Sequence, residues 1–187
     1  MVRTILGGIA GGFAMYVVGF IFWGTPLSRI ALSKTGDLES ATIQQALAAN
    51  LTESGSGSYP IPWPGTPQGT TLYGRGPTAM VHFNTSGFPV MDSAALLAGL
   101  ILAIVSALII AFALRTVGHY FADFGLRARL VAAFAVAIPL YIHIGQPIFN
   151  HAPWPYFVYS FVCDVLGFLA AGLVIARWFL PRSVAVE

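Results

Sequence analysis

Four long apolar runs, almost free of charge, constrain this chain more than any other feature: Ile5 to Trp23, Ser93 to Leu114, Leu130 to Phe149 and Tyr156 to Leu180. Each is close to the ~20 residues that span a hydrocarbon core of roughly 30 Å at about 1.5 Å per residue. Hydrophobic residues occupy 57% of the 187 positions and charged residues only 9%. An ordinary soluble domain carries about 25% charge, so a bilayer has to cover part of this surface. The fold class expected is an all-α membrane protein of four transmembrane helices, with a small extracytoplasmic loop domain between helices 1 and 2.

The first helix is expected over 4–24. Arg3 precedes its apolar run and Thr25-Pro26 ends it. A signal peptide also starts this way, and Ala31-Leu32-Ser33 offers a weak cleavage-like site, but the run exceeds a typical h-region and the site lies far beyond it. A retained helix is therefore expected. Its Gly7, Gly8, Gly11 and Gly12 form two overlapping GxxxG patterns, which let another helix backbone approach closely. Packing within the chain is favoured over homodimerisation.

Gly, Pro, Ser and Thr replace the apolar runs over 25–92, the only extramembrane stretch long enough to fold. Ile43, Leu47 and Leu51 recur at helical spacing in Ser40 to Leu51, which predicts a short amphipathic helix. Ser54 to Ser58 has the composition of a flexible joint, and the three prolines of Tyr59 to Gly65 impose an extended segment. Thr70 to Tyr73 and Ala79 to Phe83 have strand character and are expected to pair as a hairpin across Gly74-Arg75-Gly76-Pro77.

The second span is expected over 93–114, followed by a loop over 115–129 in which Gly118 and Gly125 act as breaks. The third span, 130–149, contains Pro139 and Gly145, which neighbouring helices tolerate in a membrane. A turn over 150–155 leads to the fourth span, 156–180, where Gly167, Ala171 and Gly172 offer a second small-residue face. With the N terminus inside, Arg3, Arg115, Arg127, Arg129, Arg177 and Arg182 share one side, against Arg29, Lys34 and Arg75 on the other. The positive-inside rule then places both termini in the cytoplasm and the 25–92 region outside. Asn50-Leu51-Thr52 and Asn84-Thr85-Ser86 on that region match the glycosylation pattern, which matters only in a eukaryotic secretory host.

The chain resembles a group of uncharacterised small bacterial membrane proteins with four predicted spans. The likeness lies in Gly7 to Gly12 followed by Phe22-Trp23-Gly24, in Gly76-Pro77 before a short strand, and in Met91 ahead of the second span. It continues in the aromatic-Pro turn leading to Asp164 and Gly167 to Gly172. The resemblance implies a multi-pass protein of the bacterial inner membrane and carries no activity.

Polar groups at depth are the candidate site. Counted from Phe149 and Tyr156, His143 lies about 9 Å and Asp164 about 12 Å below the outer boundary, with Gln146 one turn above His143. Buried ionisable groups in a span face protein or a water-filled cavity. His143, Gln146 and Asp164 are thus expected first to clasp the helical hairpin, and otherwise to bind a ligand, a metal or a proton, or to face a partner subunit. His143, His151 and Asp164 supply three donor groups suited to zinc, although no HExxH helix or close His pair accompanies them. Haem ligation by His119 and His143 is disfavoured because they fall near opposite surfaces, and no cofactor is expected.

Catalysis has little support in the sequence. Ser160 and Cys163 have no base at a motif spacing, and neither GxSxG nor a Walker loop is present. His82 reads as a surface residue, Tyr16, Tyr141, Tyr156, Tyr159, Trp154 and Trp178 as interface anchors, and a quinone or lipid headgroup beneath Trp154 is conceivable. Scattered basic residues and a net charge of +2 argue against nucleic acid as a partner. Two functions lead: a non-enzymatic accessory or scaffold protein that packs through its Gly-rich helix faces on itself or on a larger membrane complex, with the outer loop available to a periplasmic partner, or a small transport or proton-handling protein built on the His143 and Asp164 pair; a membrane-embedded enzyme ranks third.

Overall fold

The computed structural model describes residues 1–118, 120 and 123–180. His119 and Arg182 lie outside them. The chain divides into two compact units, one made of Met1–Ser33 with the region from Ser93 onward, the other of Lys34–Asp92.

The first unit is helical. It contains α1 (Val2–Trp23), a 3-10 turn at Pro26–Ile30, α4 (Ser93–Val117), α5 (Phe124–Pro139), α6 (Gly145–Asn150) and α7 (Trp154–Val174). A π-helical turn, Leu140–Ile144, joins α5 to α6, and a second, Ile175–Phe179, extends α7. Among the described residues, four helical stretches are long and apolar enough to cross a membrane: Val2–Trp23, Ser93–Val117, Phe124–Asn150 and Trp154–Phe179.

Small residues set the packing. A Cβ added at Gly7 would meet Phe179, and one at Gly11 would meet Ala171 and Ile175, so these two glycines face α7 and its extension. Those at Gly8 and Gly12 would meet Leu108 and Ile104, so the other pair faces α4. Ala103, Ala107 and Ala111, one turn apart and buried, line the α4 side of that seam. Each GxxxG pattern therefore serves a different neighbour within the chain. Further on, Gly167 lies against Met15 of α1, and Gly172 against Val131 of α5. Both ends of the α1 and α7 pair are tied. Arg3 donates to the Trp178 carbonyl at 2.9 Å, a cation meeting the negative end of a helix. At the opposite end the Tyr159 hydroxyl donates to the Phe22 carbonyl, inside an aromatic cluster of Phe22, Trp23, Tyr156 and Tyr159. Tyr156 and Tyr159 are thus packing groups as well as candidate interface anchors. The helices also leave an apolar cavity of about 510 Å³ between α4, α5 and α7, bordered by Ile110, Leu130, Phe134 and Phe168 rather than by Trp154.

The connection between α4 and α5 is shorter than the 115–129 expected. Asp123 accepts a hydrogen bond from the Leu126 N–H at 3.1 Å and so caps α5 six residues before the apolar run begins, carrying Gly125 into the first turn. Arg127 is buried and donates to the Gly118 carbonyl at 3.1 Å. Pro139 lacks an N–H for the helical ladder, and the backbone passes into the π turn directly after it.

In the second unit, α2 (Asp37–Leu51) covers the helix expected at Ser40 to Leu51. The hairpin expected from Thr70 to Tyr73 does not form. Those residues belong to α3 (Pro67–Arg75), and the partner of β2 (Ala79–Phe83) is β1 (Gly57–Ile61), antiparallel with Gly57 opposite Phe83 and Ile61 opposite Ala79. The reason is local. Thr66 accepts from the Gly69 N–H at 3.0 Å, Pro67 takes the first helical position, and Gly76 at φ 67° closes α3. Gly69 has no alternative there, since a Cβ would fall 1.8 Å from the Trp63 carbonyl oxygen.

Candidate functional site

The polar groups at mid-helix come from three segments. His143 sits in the π turn after Pro139, a type of helix irregularity common at functional sites. Asp164 projects from the middle of α7. The antiparallel course of the two stretches brings His143 Nε2 to 2.7 Å from Asp164 Oδ2, the short separation of a charge-assisted hydrogen bond. The depth argument from sequence thus finds a real contact.

Gln146 does not join that pair. Its Oε1 accepts from Asn150 Nδ2 at 2.7 Å along α6, so it supports its own helix. The order His143, Gln146, Asn150 nevertheless makes a polar edge running from the pair toward the end of α6. His151 closes α6 in the left-handed region at φ 51° and is exposed. Among the described residues no group of three His, Cys, Asp or Glu side chains could hold a metal ion, so His151 does not complete a zinc set with His143 and Asp164.

Asp164 has a second open side. Its side chain is 46% exposed within the protein, against 18% for His143. That side faces a crevice of about 120 Å³ bounded by Met15, Gly19, Cys163, Gly167 and Phe168. Gly19 leaves room there, with nothing within 4 Å of an added Cβ. One carboxylate therefore reaches an imidazole on one flank and a narrow cleft between α1 and α7 on the other. Cys163 is buried beside it, and Ser160 donates to the Tyr156 carbonyl at 2.9 Å within α7. Neither is placed as a nucleophile with a base.

No protein-family model matches the chain, and no curated protein or solved structure is detectably similar to it.

A second candidate surface lies wholly in the Lys34–Asp92 unit. A groove of about 550 Å³ runs between α2 and β2, bordered by Ile43, Gln44 and Leu47 on the helix and by Val81, Phe83 and Asn84 on the strand side. His82, expected as a plain surface residue, makes a 2.8 Å hydrogen bond with Ser58 across the hairpin. Leu38, Trp63, Met80 and Phe88 are exposed on the same unit. No motif in the sequence marks this groove, because α2 and β2 lie far apart in the chain and meet only in the fold.

Proposed function

We propose that the chain is a non-enzymatic, multi-pass protein of a bacterial inner membrane, an accessory or scaffold component that presents the Lys34–Asp92 unit to a protein partner outside. Both termini lie in the cytoplasm in this reading. The outward faces of the helices, with Leu102, Ile109 and Phe134 exposed, support lipid as their surroundings. The observation that carries the partner reading is the apolar surface left uncovered on the loop unit, where Leu38, Trp63, Met80 and Phe88 are exposed and a separate groove runs between α2 and β2. Grooves with apolar side chains such as Ile43, Leu47, Val81 and Phe83 along them are surfaces that a partner can cover. The glycine faces are spent on contacts inside the chain, which leaves the loop unit as the better-founded partner surface. His143 and Asp164 then serve as a clasp between the third and fourth spans.

Mild solubilisation followed by mass measurement tests this reading, comparing the wild type with a variant in which 34–92 is replaced by a flexible linker. A bound partner lost in the variant supports it. A strictly monomeric wild-type particle overturns it.

One observation favours a second reading. The His143 and Asp164 pair, with a cleft on one flank and the Gln146 and Asn150 edge on another, suits a small transport or proton-handling protein, since a carboxylate and an imidazole can exchange a proton. Asp164→Asn in proteoliposomes separates the two. A carrier loses flux while staying folded, and a clasp loses stability with no flux to lose.

A further inference from the structure

A two-stranded sheet has two outer edges, and the register of this one tells them apart. In an antiparallel ladder, opposed residues either exchange both backbone hydrogen bonds or point those groups away from each other. Pro60 stands opposite Met80 and has no N–H to give. The pairs that face each other are therefore Tyr59 with Val81 and its neighbours two residues away. Ser58 and Pro60 turn their backbone groups outward on β1, and Met80 and His82 turn theirs outward on β2.

The two edges differ in consequence. On β1, Pro60 removes a donor and Pro62 follows two residues later, which blunts that edge against further pairing. On β2 the same register turns the N–H and C=O groups of Met80 and His82 away from β1, and among the described residues no backbone hydrogen bond outside the ladder uses them. Beside β2, instead of a third strand, lies the groove bounded by Ile43, Gln44 and Leu47 of α2. No charged residue borders it.

We propose that the β2 edge binds an extended, uncharged polypeptide segment of a partner protein, which adds as a third strand between β2 and α2. This rests on the docking role given to the loop unit and names the class of its partner. Backbone pairing with Met80 and His82 supplies the hydrogen bonds, and alternate apolar side chains of the segment meet Ile43, Leu47, Val81 and Phe83. The five residues of β2 match a segment of about five residues, since both rise by roughly 3.4 Å per residue. Uncharged side chains fit because the groove offers no counter-charge. A two-stranded hairpin alone is marginal in water, so a third strand also steadies the unit.

The test uses the full chain in lipid nanodiscs. Phage-displayed random octapeptides are panned on it, and the best binder is synthesised plain and with backbone N-methyl groups at alternate residues. Met80→Pro removes an outward N–H and should leave the β1 ladder intact, whereas Val81→Pro breaks the ladder and serves as the unfolding control. The result expected is enrichment of sequences alternating apolar and uncharged polar residues. Binding should fall at least tenfold on N-methylation and on Met80→Pro, and hydrogen exchange should slow at Met80 and His82 when the plain peptide binds.

Binders that tolerate both changes, enrichment at helical spacing, or no enrichment overturns strand addition. A dimer of the chain that Met80→Pro dissolves replaces the foreign segment by a second copy and overturns the proposal in that form. If the partner seen on mild solubilisation depends on residues 34–92 but not on the β2 edge, strand addition fails while the docking role stands. If no partner is retained at all, the docking role fails first.

Discussion

Replacing Gly12 with alanine should loosen the contact between α1 and α4 without touching any charged or polar side chain. The added Cβ would fall 2.5 Å from Ile104 Cα, 2.8 Å from its N and 2.9 Å from the Ala103 carbonyl oxygen, all backbone atoms that cannot swing aside. To regain an ordinary contact of 3.4–4 Å, the two helices must separate by about 1 Å, and a gap of ~0.5–1 Å forfeits a quarter to a half of the dispersion attraction of each facing pair. The seam is lined by the buried Ala103, Ala107 and Ala111, which have no flexible side chains to refill the gap. Overpacking of this kind costs about 1–3 kcal/mol. Unfolding in mixed micelles by titrated denaturing detergent, followed by tryptophan fluorescence, reads that loss. Gly19→Ala on the same helix is the control, since nothing lies within 4 Å of its added Cβ, and it should stay within about 0.5 kcal/mol of the wild type. Equal effects from the two variants would refute the packing argument. A Gly12→Ala protein of unchanged stability but smaller particle mass would show that the face serves contacts between copies instead.

Three other outcomes are expected. A double-mutant cycle of His143→Ala and Asp164→Ala in the same unfolding assay should give a coupling of about 0.6–2 kcal/mol, and additive losses would mean that the 2.7 Å contact contributes nothing as a clasp. Thr66→Ala should cost about 1 kcal/mol by removing the bond to the Gly69 N–H, seen as faster hydrogen exchange across Pro67–Arg75; unchanged exchange would argue against the cap. Asp123→Ala should weaken the start of α5 by a similar amount, about 1 kcal/mol, with faster exchange at Leu126 and Arg127; no change there would restore the longer 115–129 loop.

Much of the helical unit was legible because a span must be apolar along its whole length, and few other demands leave such a trace. The pairing of His143 with Asp164 was legible for a related reason: two antiparallel helices joined by a short turn place residues by depth alone. Depth does not fix direction, however. Gln146 lies at a suitable height yet turns to Asn150, one turn away on the same helix, because a local partner needs no other helix to be placed correctly. The glycine patterns announced close packing but not which neighbour each would meet. That depends on how α1 is rotated between α4 and α7, a property of the assembled helices. The start of α5 is hard to read because Gly125 signals a break while Asp123, two residues earlier, caps a helix through the Leu126 N–H.

The loop unit was harder because its elements are short. Thr70 to Tyr73 have β-forming side chains, but the order Thr66, Pro67 and Gly76 is a helix start and stop, and capping outweighs propensity over so few residues. The composition of Gly57 and Ser58 is that of a flexible joint. Their strand conformation comes from pairing with Phe83 and His82, far along the chain.

Labelling of single cysteines tests the threading of the chain most directly. In a Cys163→Ala background expressed in a bacterial host, Ser86→Cys reports on the loop unit and Thr116→Cys on the arginine-bearing end of α4. Both positions are exposed. A membrane-impermeant maleimide should label position 86 in intact cells and position 116 only after the inner membrane is opened. Labelling of 116 in intact cells, or equal labelling of both in a soluble fraction without detergent, would contradict the account.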